Sequence, residues 1–390
     1  MEATMPAAGT DRIVVEAPRV TVENGRPRAT ASILMGNRPF EIWYEASSGP
    51  LSDGMNALLT AALIPAMKQG GSLHLPGPVS PQLLEEIPTI QDILHLWYPA
   101  LQQISLEAAP LSPQTSQANP PPAGVGLFFS GGVDSFYSLL KRNEEITSLI
   151  FVHGFDIRLD DDSLYAQTAQ TIQRIAAQFK KSLVLVRTNL RSFSDLYTDW
   201  GQHYHGAALA SVAHVLAPQF KKIYIASTNP YQVLVPWGSH PLLDPRWSTE
   251  TLQIVLDGCE ASRIQKTLRI ASHPVVQKSL RACWENRNGA SNCGLCEKCL
   301  RTMANLRAAG TLDRFQTFAR PLDLGRLRRV PIRSERLREC VNATYQHLQD
   351  AGKDPELAAA LRDCLDGLYE KGMRGWPRRA LQKTQRWMLN

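Results

Sequence analysis

Two short stretches hold residues whose types and spacing could do chemistry. The first is Ser130-Gly131-Gly132-Val133-Asp134-Ser135, which follows an apolar run over residues 125–129. A glycine pair between a buried strand and a new helix lets backbone N–H groups converge on a ligand. The helix adds its positive N-terminal end, so the place suits an anion such as pyrophosphate. Ser130 and Ser135 supply hydroxyl donors. Asp134 would repel a bare phosphate, and its useful role is to ligate Mg2+. The spacing is neither that of a Walker A loop nor GxGxxG. Two glycines alone would read as a tight turn capped by Asp and Ser; the complete string between strand and helix argues for a ligand site.

The second stretch is Cys283, Cys293, Cys296 and Cys299, spaced C-x9-C-x2-C-x2-C, four of the seven cysteines in the chain. Four thiolates in such a span can close a tetrahedral site with no open position, which suits Zn2+. Gly294 permits a tight knuckle between two ligands. An iron–sulfur cluster is the metal alternative, and four unrelated buried thiols the structural one.

Weaker signals surround these two. His153, Gly154 and Asp156 follow the second strand of the pattern described below, at the rim where a nucleotide would lie. Ser227, Thr228 and Asn229 end the fourth strand. The loop over residues 237–249 carries His240, a group able to act as general base, and Asp244, which could orient it. Arg263 and Lys266, with Arg269, share one helical face and could clamp phosphates; a solvated face is the ordinary reading of such a stripe.

The elements that must position these residues are legible from periodicity. After residue 124, apolar runs at 125–129, 148–152, 183–186 and 223–226 alternate with helical stretches at 135–142, 163–179 and 206–216. Short apolar strands alternating with amphipathic helices predict an α/β fold with a doubly wound parallel sheet. Residues 1–108 read as a separate α+β domain with a scaffolding or recognition role. Strands are expected over 12–22, 29–35, 39–45, 72–75 and 103–107, with a hairpin at Asn24-Gly25. A helix is expected from Asp53 as N-cap to Met67, followed by two further helical pieces. Residues 109–123, rich in Pro, Ser and Gln, form a linker. The nucleotide-binding domain with its cysteine knuckle then spans 124–315. Periodic Leu337, Val341, Leu348, Leu361, Leu365 and Leu368 make 316–390 a helical extension.

Composition bounds the rest. The chain has 390 residues, 44% hydrophobic and 20% charged, which is enough to bury a large core. No apolar run reaches the ~18–20 residues that span a bilayer, so no membrane partner is expected. No secretory signal is visible, and the expected compartment is a reducing cytoplasm, where cysteines serve as ligands before disulfides. The net charge of +6 sits in the tail: residues 371–390 hold six basic and no acidic residues, leaving 36 of each elsewhere. The body therefore lacks a nucleic-acid footprint.

The string SGGVDS resembles the signature of the PP-loop ATP pyrophosphatases. Its pairing with the downstream cysteine set resembles the zinc-containing 7-cyano-7-deazaguanine synthase branch, over roughly residues 124–310. The resemblance implies a Rossmann-like PP-loop (HUP) domain that cleaves ATP between its α- and β-phosphates. It implies that Ser130, Gly131, Gly132, Val133, Asp134 and Ser135 bind ATP phosphates and Mg2+, that His153 and Asp156 lie beside the nucleoside, and that the four cysteines hold Zn2+. AMP would be attached to a carboxylate or amide oxygen of a small molecule, then displaced by ammonia, an amine or a sulfur donor. A PP-loop enzyme that modifies tRNA or a nucleoside is the alternative, and a homodimer stays open. The aromatic-Pro-Asp-Cys run of that synthase branch is absent, so the acceptor does not carry over.

Overall fold

The computed structural model describes residues 12–112, 122–283, 285 and 292–367. The chain divides into two compact units, residues 1–261 and 262–390. Neither expected boundary, at 108–124 or at 315, coincides with that division. The whole basic tail and residues 113–121 of the expected linker lie outside the described residues.

In the first unit, the expected strand over 12–22 is interrupted ahead of Pro18, giving β1 (Arg12–Val15) and β2 (Arg19–Glu23). Asn24 (φ 51°) and Gly25 (φ 75°) then make the tight hairpin into β3 (Arg26–Met35), and β4 (Arg38–Ala46) returns antiparallel. The helix α1 (Asn56–Gln69) starts three residues after Asp53, with Met55 rather than Asp53 at its N-cap. After β5 (Ser72–His74), the two expected helical pieces form one helix, α2 (Pro81–Trp97). It is capped by the Ser80 hydroxyl, with Pro88 inside. β6 (Ser105–Glu107) follows.

The alternating part runs β7 (Gly124–Phe128), α3 (Val133–Lys141), β8 (Ser148–His153), α4 (Asp162–Gln178), β9 (Ser182–Thr188), α5 (Leu190–Ser194), α6 (His205–Val215) and β10 (Phe220–Ala226). A fifth parallel strand, β11 (Gln253–Asp257), lies at the edge. Its apolar triplet Ile254-Val255-Leu256 is the local signal for this strand, which is not among the expected ones.

Among the described residues, all eleven strands belong to one mixed sheet, with main order β11-β10-β7-β8-β9-β4-β3-β1-β5-β6 and β2 on β3. The five parallel strands therefore run outward in both directions from β7, so the chain reverses its winding between β7 and β10. Ligands of open α/β sheets bind in the crevice at such a reversal, at the carboxyl ends of the strands.

The N-terminal strands are not a separate domain. β4 pairs antiparallel with β9 through Tyr44↔Thr188, Glu45↔Arg187 and Ala46↔Val186. α1 is buried from Ala57 to Met67 and packs against α6, itself almost wholly buried. A helix apolar on every side has to lie inside a core. Tyr44 and Ser211 share a 2.7 Å hydrogen bond, and the Ser211 hydroxyl also lies 2.7 Å from the Ala57 carbonyl. Tyr204 donates to the Ala61 carbonyl at 2.7 Å. One hydrophobic cluster runs from Ile13 and Ile33 through Leu59 to Ala207 and Ile223.

The second unit is helical: α7 (Arg263–Ile270), α8 (Pro274–Ser279), α9 (Glu297–Ala308), α10 (Leu324–Arg328), α11 (Glu335–Ala351) and α12 (Pro355–Asp366). The predicted apolar positions Val341, Leu348 and Leu361 are buried with Leu357 and Leu300, while Leu337 and Leu365 pack at the margin. Leu368 lies outside the described residues. Arg307 grips Asp354 through two bonds of 2.6 and 2.9 Å, joining the end of α9 to the start of α12. Among the described residues no helix is long and apolar enough to cross a membrane.

Candidate functional site

The glycine loop sits where β7 ends and α3 begins. Gly131 is buried and has φ 77°, a left-handed conformation that glycine adopts without steric cost. Gly132, at the N-cap of α3, has φ −83° and ψ 172°, which any residue can adopt, so only the first glycine answers a backbone requirement. Val133 buries its side chain, leaving its amide as its polar contribution to the turn. Ser135 is buried, and its hydroxyl donates to the Gly132 carbonyl at 3.1 Å. It locks the loop where a phosphate donor was expected. Ser130 is half-buried at the strand end.

Asp134 and Thr228, expected separately, are brought together: the Thr228 hydroxyl lies 3.4 Å from Asp134 Oδ2. This contact spans the winding reversal, from the first turn of α3 to the end of β10. Beside it, Asn229 is buried, its carbonyl accepts from Ser227 Oγ at 2.9 Å, and its Oδ1 has no hydrogen-bond partner among the described residues.

The residues expected to follow the second strand behave differently. His153 is fully buried, stacks on Tyr165 at 4.0 Å, and donates from Nε2 to the Arg158 carbonyl at 2.8 Å. Burial lowers its pKa, so the ring is neutral near pH 7. It holds the loop after β8 in shape. Asp156 is exposed on that loop.

His240 and Asp244 do not form a catalytic pair. Asp244 is fully buried and accepts from Ser239 Oγ at 2.5 Å and from the His240 backbone N–H, not its ring, at 3.2 Å. Burial raises the Asp244 carboxyl to about 7. The His240 ring accepts the Leu242 N–H at Nδ1 and lies edge-on to Trp97 of α2, 4.7 Å between centroids. Glu250 caps the start of α2 by accepting from Ser80 Oγ (2.7 Å) and Gln82 N–H (2.8 Å), and Arg246 pairs with Glu86. The loop rich in convergent polar groups is thus a seam that binds the N-terminal extension to the parallel strands.

In the second unit, Arg263 and Lys266 are buried while Arg269 is exposed, so the first two are not part of a solvated stripe. Ser262 and Gln265 close a capping box ahead of them.

The four cysteines converge. Their sulfurs lie within 4.8 Å of one another, with Cys283–Cys296 and Cys293–Cys299 at 3.9 Å. A tetrahedral Zn2+ with bonds of ~2.3 Å sets its sulfurs ~3.8 Å apart, so the set fits that ion. Gly294 has φ 68°, as the knuckle requires. Backbone N–H groups of Cys296 and Cys299 point at the sulfurs of Cys293 (3.3 Å) and Cys296 (3.4 Å), as they would at thiolates. Contact with Cys283 is the main effect raising the thiols of Cys296, to about 12, and Cys299; a cation among them is what makes four thiolates tenable. Asn292, not anticipated from the sequence, accepts from the N–H groups of Ala282 (2.7 Å) and Cys283 (3.1 Å) and donates to the carbonyls of Leu280 and Thr317. It clamps the first ligand to the rest.

No protein-family model, no curated protein and no solved structure matches the chain. The reading of the site therefore rests on its geometry and on the motifs.

Proposed function

We propose that the chain is an AMP-forming ATP pyrophosphatase acting as a synthetase or ligase. The observation that carries this reading is the Gly131-Gly132 turn at the carboxyl end of β7, beside the winding reversal, with Asp134 facing Thr228 from β10. In this reading the turn and the first amides of α3 hold the β- and γ-phosphates of ATP. An oxygen of a small carboxylate or amide attacks the α-phosphorus, the bond to the bridging oxygen breaks, and pyrophosphate leaves with the electron pair. Ammonia, an amine or a sulfur nucleophile then attacks the activated carbon, and AMP departs with the oxygen. Asp134 is the residue suited to hold Mg2+, which would offset charge on the leaving diphosphate. The side-chain Oδ1 of Asn229, without a hydrogen-bond partner among the described residues, is an acceptor that a ligand N–H can satisfy. Because the Asp244 carboxylate serves Ser239 and the His240 backbone N–H rather than the His240 ring, this reading gives the pair no catalytic role. The cysteine set, with four ligands and no open position, serves Zn2+ structurally.

The test is product identity. Incubation with ATP, Mg2+, ammonia and a pool of carboxylates should yield AMP and pyrophosphate in equal amounts. ADP and orthophosphate would overturn the reading. Strict dependence on added tRNA would shift the acceptor to RNA.

A further inference from the structure

We propose that Asp257 is a positioning residue for the phosphate loop, holding α3 with its carboxylate and the end of β10 with its backbone carbonyl. The inference rests on the nucleotide reading above and concerns how that crevice keeps its shape.

Asp257 is the last residue of β11 and is 3% exposed. Its Oδ2 accepts from Ser138 Oγ at 2.7 Å, and its Oδ1 from Lys141 Nζ at 3.0 Å and Arg142 Nε at 3.1 Å. All three donors lie on the second half of α3 or at its C-cap. Two cations and a hydroxyl converge on one buried carboxylate through charge-assisted bonds, the cations themselves reaching solvent. A buried carboxylate keeps such partners only when its geometry is well satisfied.

Asp257 is bonded on a second side. Its carbonyl accepts the Ser227 N–H at 2.8 Å, one residue before Thr228. Strand register explains the reach. Tyr224 is level with Val255 on one side and Leu127 on the other, so two residues further Asp257, Ala226 and Phe129 share one height. Ser130 and Ser227 are the next residues above them. The bonds close a ring: Asp257 to α3, α3 through Asp134 to Thr228, and Ser227 back to Asp257.

α3 has only nine residues, so it transmits a tilt at its C-terminal half to its N-terminus almost as a rigid rod. Loss of the carboxylate therefore acts on the phosphate end of the crevice. Glu260 reinforces the same helix, accepting from Tyr137 OH at 2.8 Å and from Lys141. Burial opposes its ionisation, but Lys141 and the other donors outweigh burial and bring it down to about 2.

The experiment measures dissociation constants of MgATP, of Mg2+ with pyrophosphate, and of adenosine for the wild-type full chain and for Asp257→Asn. Asparagine keeps the size and loses the charge. The expected result is at least tenfold weaker binding of MgATP and pyrophosphate, with adenosine within twofold. A uniform structural loss would weaken all three ligands alike and overturn the positioning role, as would unchanged pyrophosphate affinity in folded variant. Wild-type protein that binds neither MgATP nor pyrophosphate would instead refute the nucleotide reading itself, and the inference with it. Should Asp257→Asn fail to fold, Ser138→Ala removes one of the three donors and should weaken pyrophosphate about threefold; no change there also overturns the proposal.

Discussion

Two loops at the carboxyl edge of one sheet carry nearly the same polar vocabulary and use it in opposite ways. The turn at 130–135 has Ser, Gly, Asp and Ser; the loop at 238–244 has Gly, Ser, His and Asp. In the first, Gly131 takes up a left-handed backbone and Asp134 stays half-buried beside Thr228. In the second, Asp244 is fully buried and spends its oxygens on Ser239 and the His240 amide, while His240 packs on Trp97. On the proposed reading, the same composition makes a ligand loop in one place and a structural seam in the other. What separates them is what the neighbouring chain offers: the end of β10 across the winding reversal in one case, and α2 of the N-terminal extension, with Trp97, Ser80 and Glu86, in the other.

The sharpest way to break this contrast is Asp134→Ala. It should lower AMP formation by about 100-fold or more, since on the proposed reading it removes the carboxylate that would hold Mg2+ against the phosphates. The thermal midpoint should stay close to that of the wild type, because the side chain is not part of the core. A soluble Asp134→Ala protein with full activity would place the chemistry elsewhere.

Cys296→Ser tests a third use of polar groups, in which a metal rather than the protein satisfies them. It should release the bound ion and cost several kcal/mol of stability in the second unit, because metal affinity there is folding free energy. Metal content by elemental analysis and thermal melting read it; a protein retaining both would dismiss the four-thiolate site. The same analysis separates Zn2+ from iron with sulfide.

The smallest effect sharpens the seam. Asp244 ionises near pH 3.8 when unfolded and near about 7 when folded, because burial disfavours its charge. The folded chain therefore holds an extra proton between those values, and this group's contribution to stability falls as pH rises through that window. Asp244→Asn keeps an acceptor oxygen for the His240 N–H, turns an amide N–H toward Ser239 Oγ, which can accept it, and cannot titrate. Relative to wild type, its unfolding free energy should gain across pH 4–7, by a slope approaching one proton, with AMP formation within twofold. Buried His214, lowered to about 4 chiefly by burial, works in the opposite sense, so the comparison is made between variant and wild type. An unchanged slope would mean that Asp244 is ionised in the fold.

The alternation of short apolar runs with amphipathic helices, the Asn24-Gly25 hairpin, the glycine turn and the cysteine spacing were all legible in the chain, because each is a local pattern with a local physical cause. Strand period, left-handed backbone and ligand spacing need no distant partner to be read. Tertiary structure alone decided the rest. Whether β4 pairs with β9, making the N-terminal strands part of the parallel sheet rather than a domain of their own, depends on edge complementarity between residues 140–144 positions apart. Whether His240 and Asp244 meet through ring or backbone depends on which groups Trp97 and Ser239 claim first. Asp257, a single acid after an apolar triplet, has no mark of its importance until β11 finds its place beside β10. Pairing and burial are set by what the whole chain brings together, and no window of neighbouring residues contains that information.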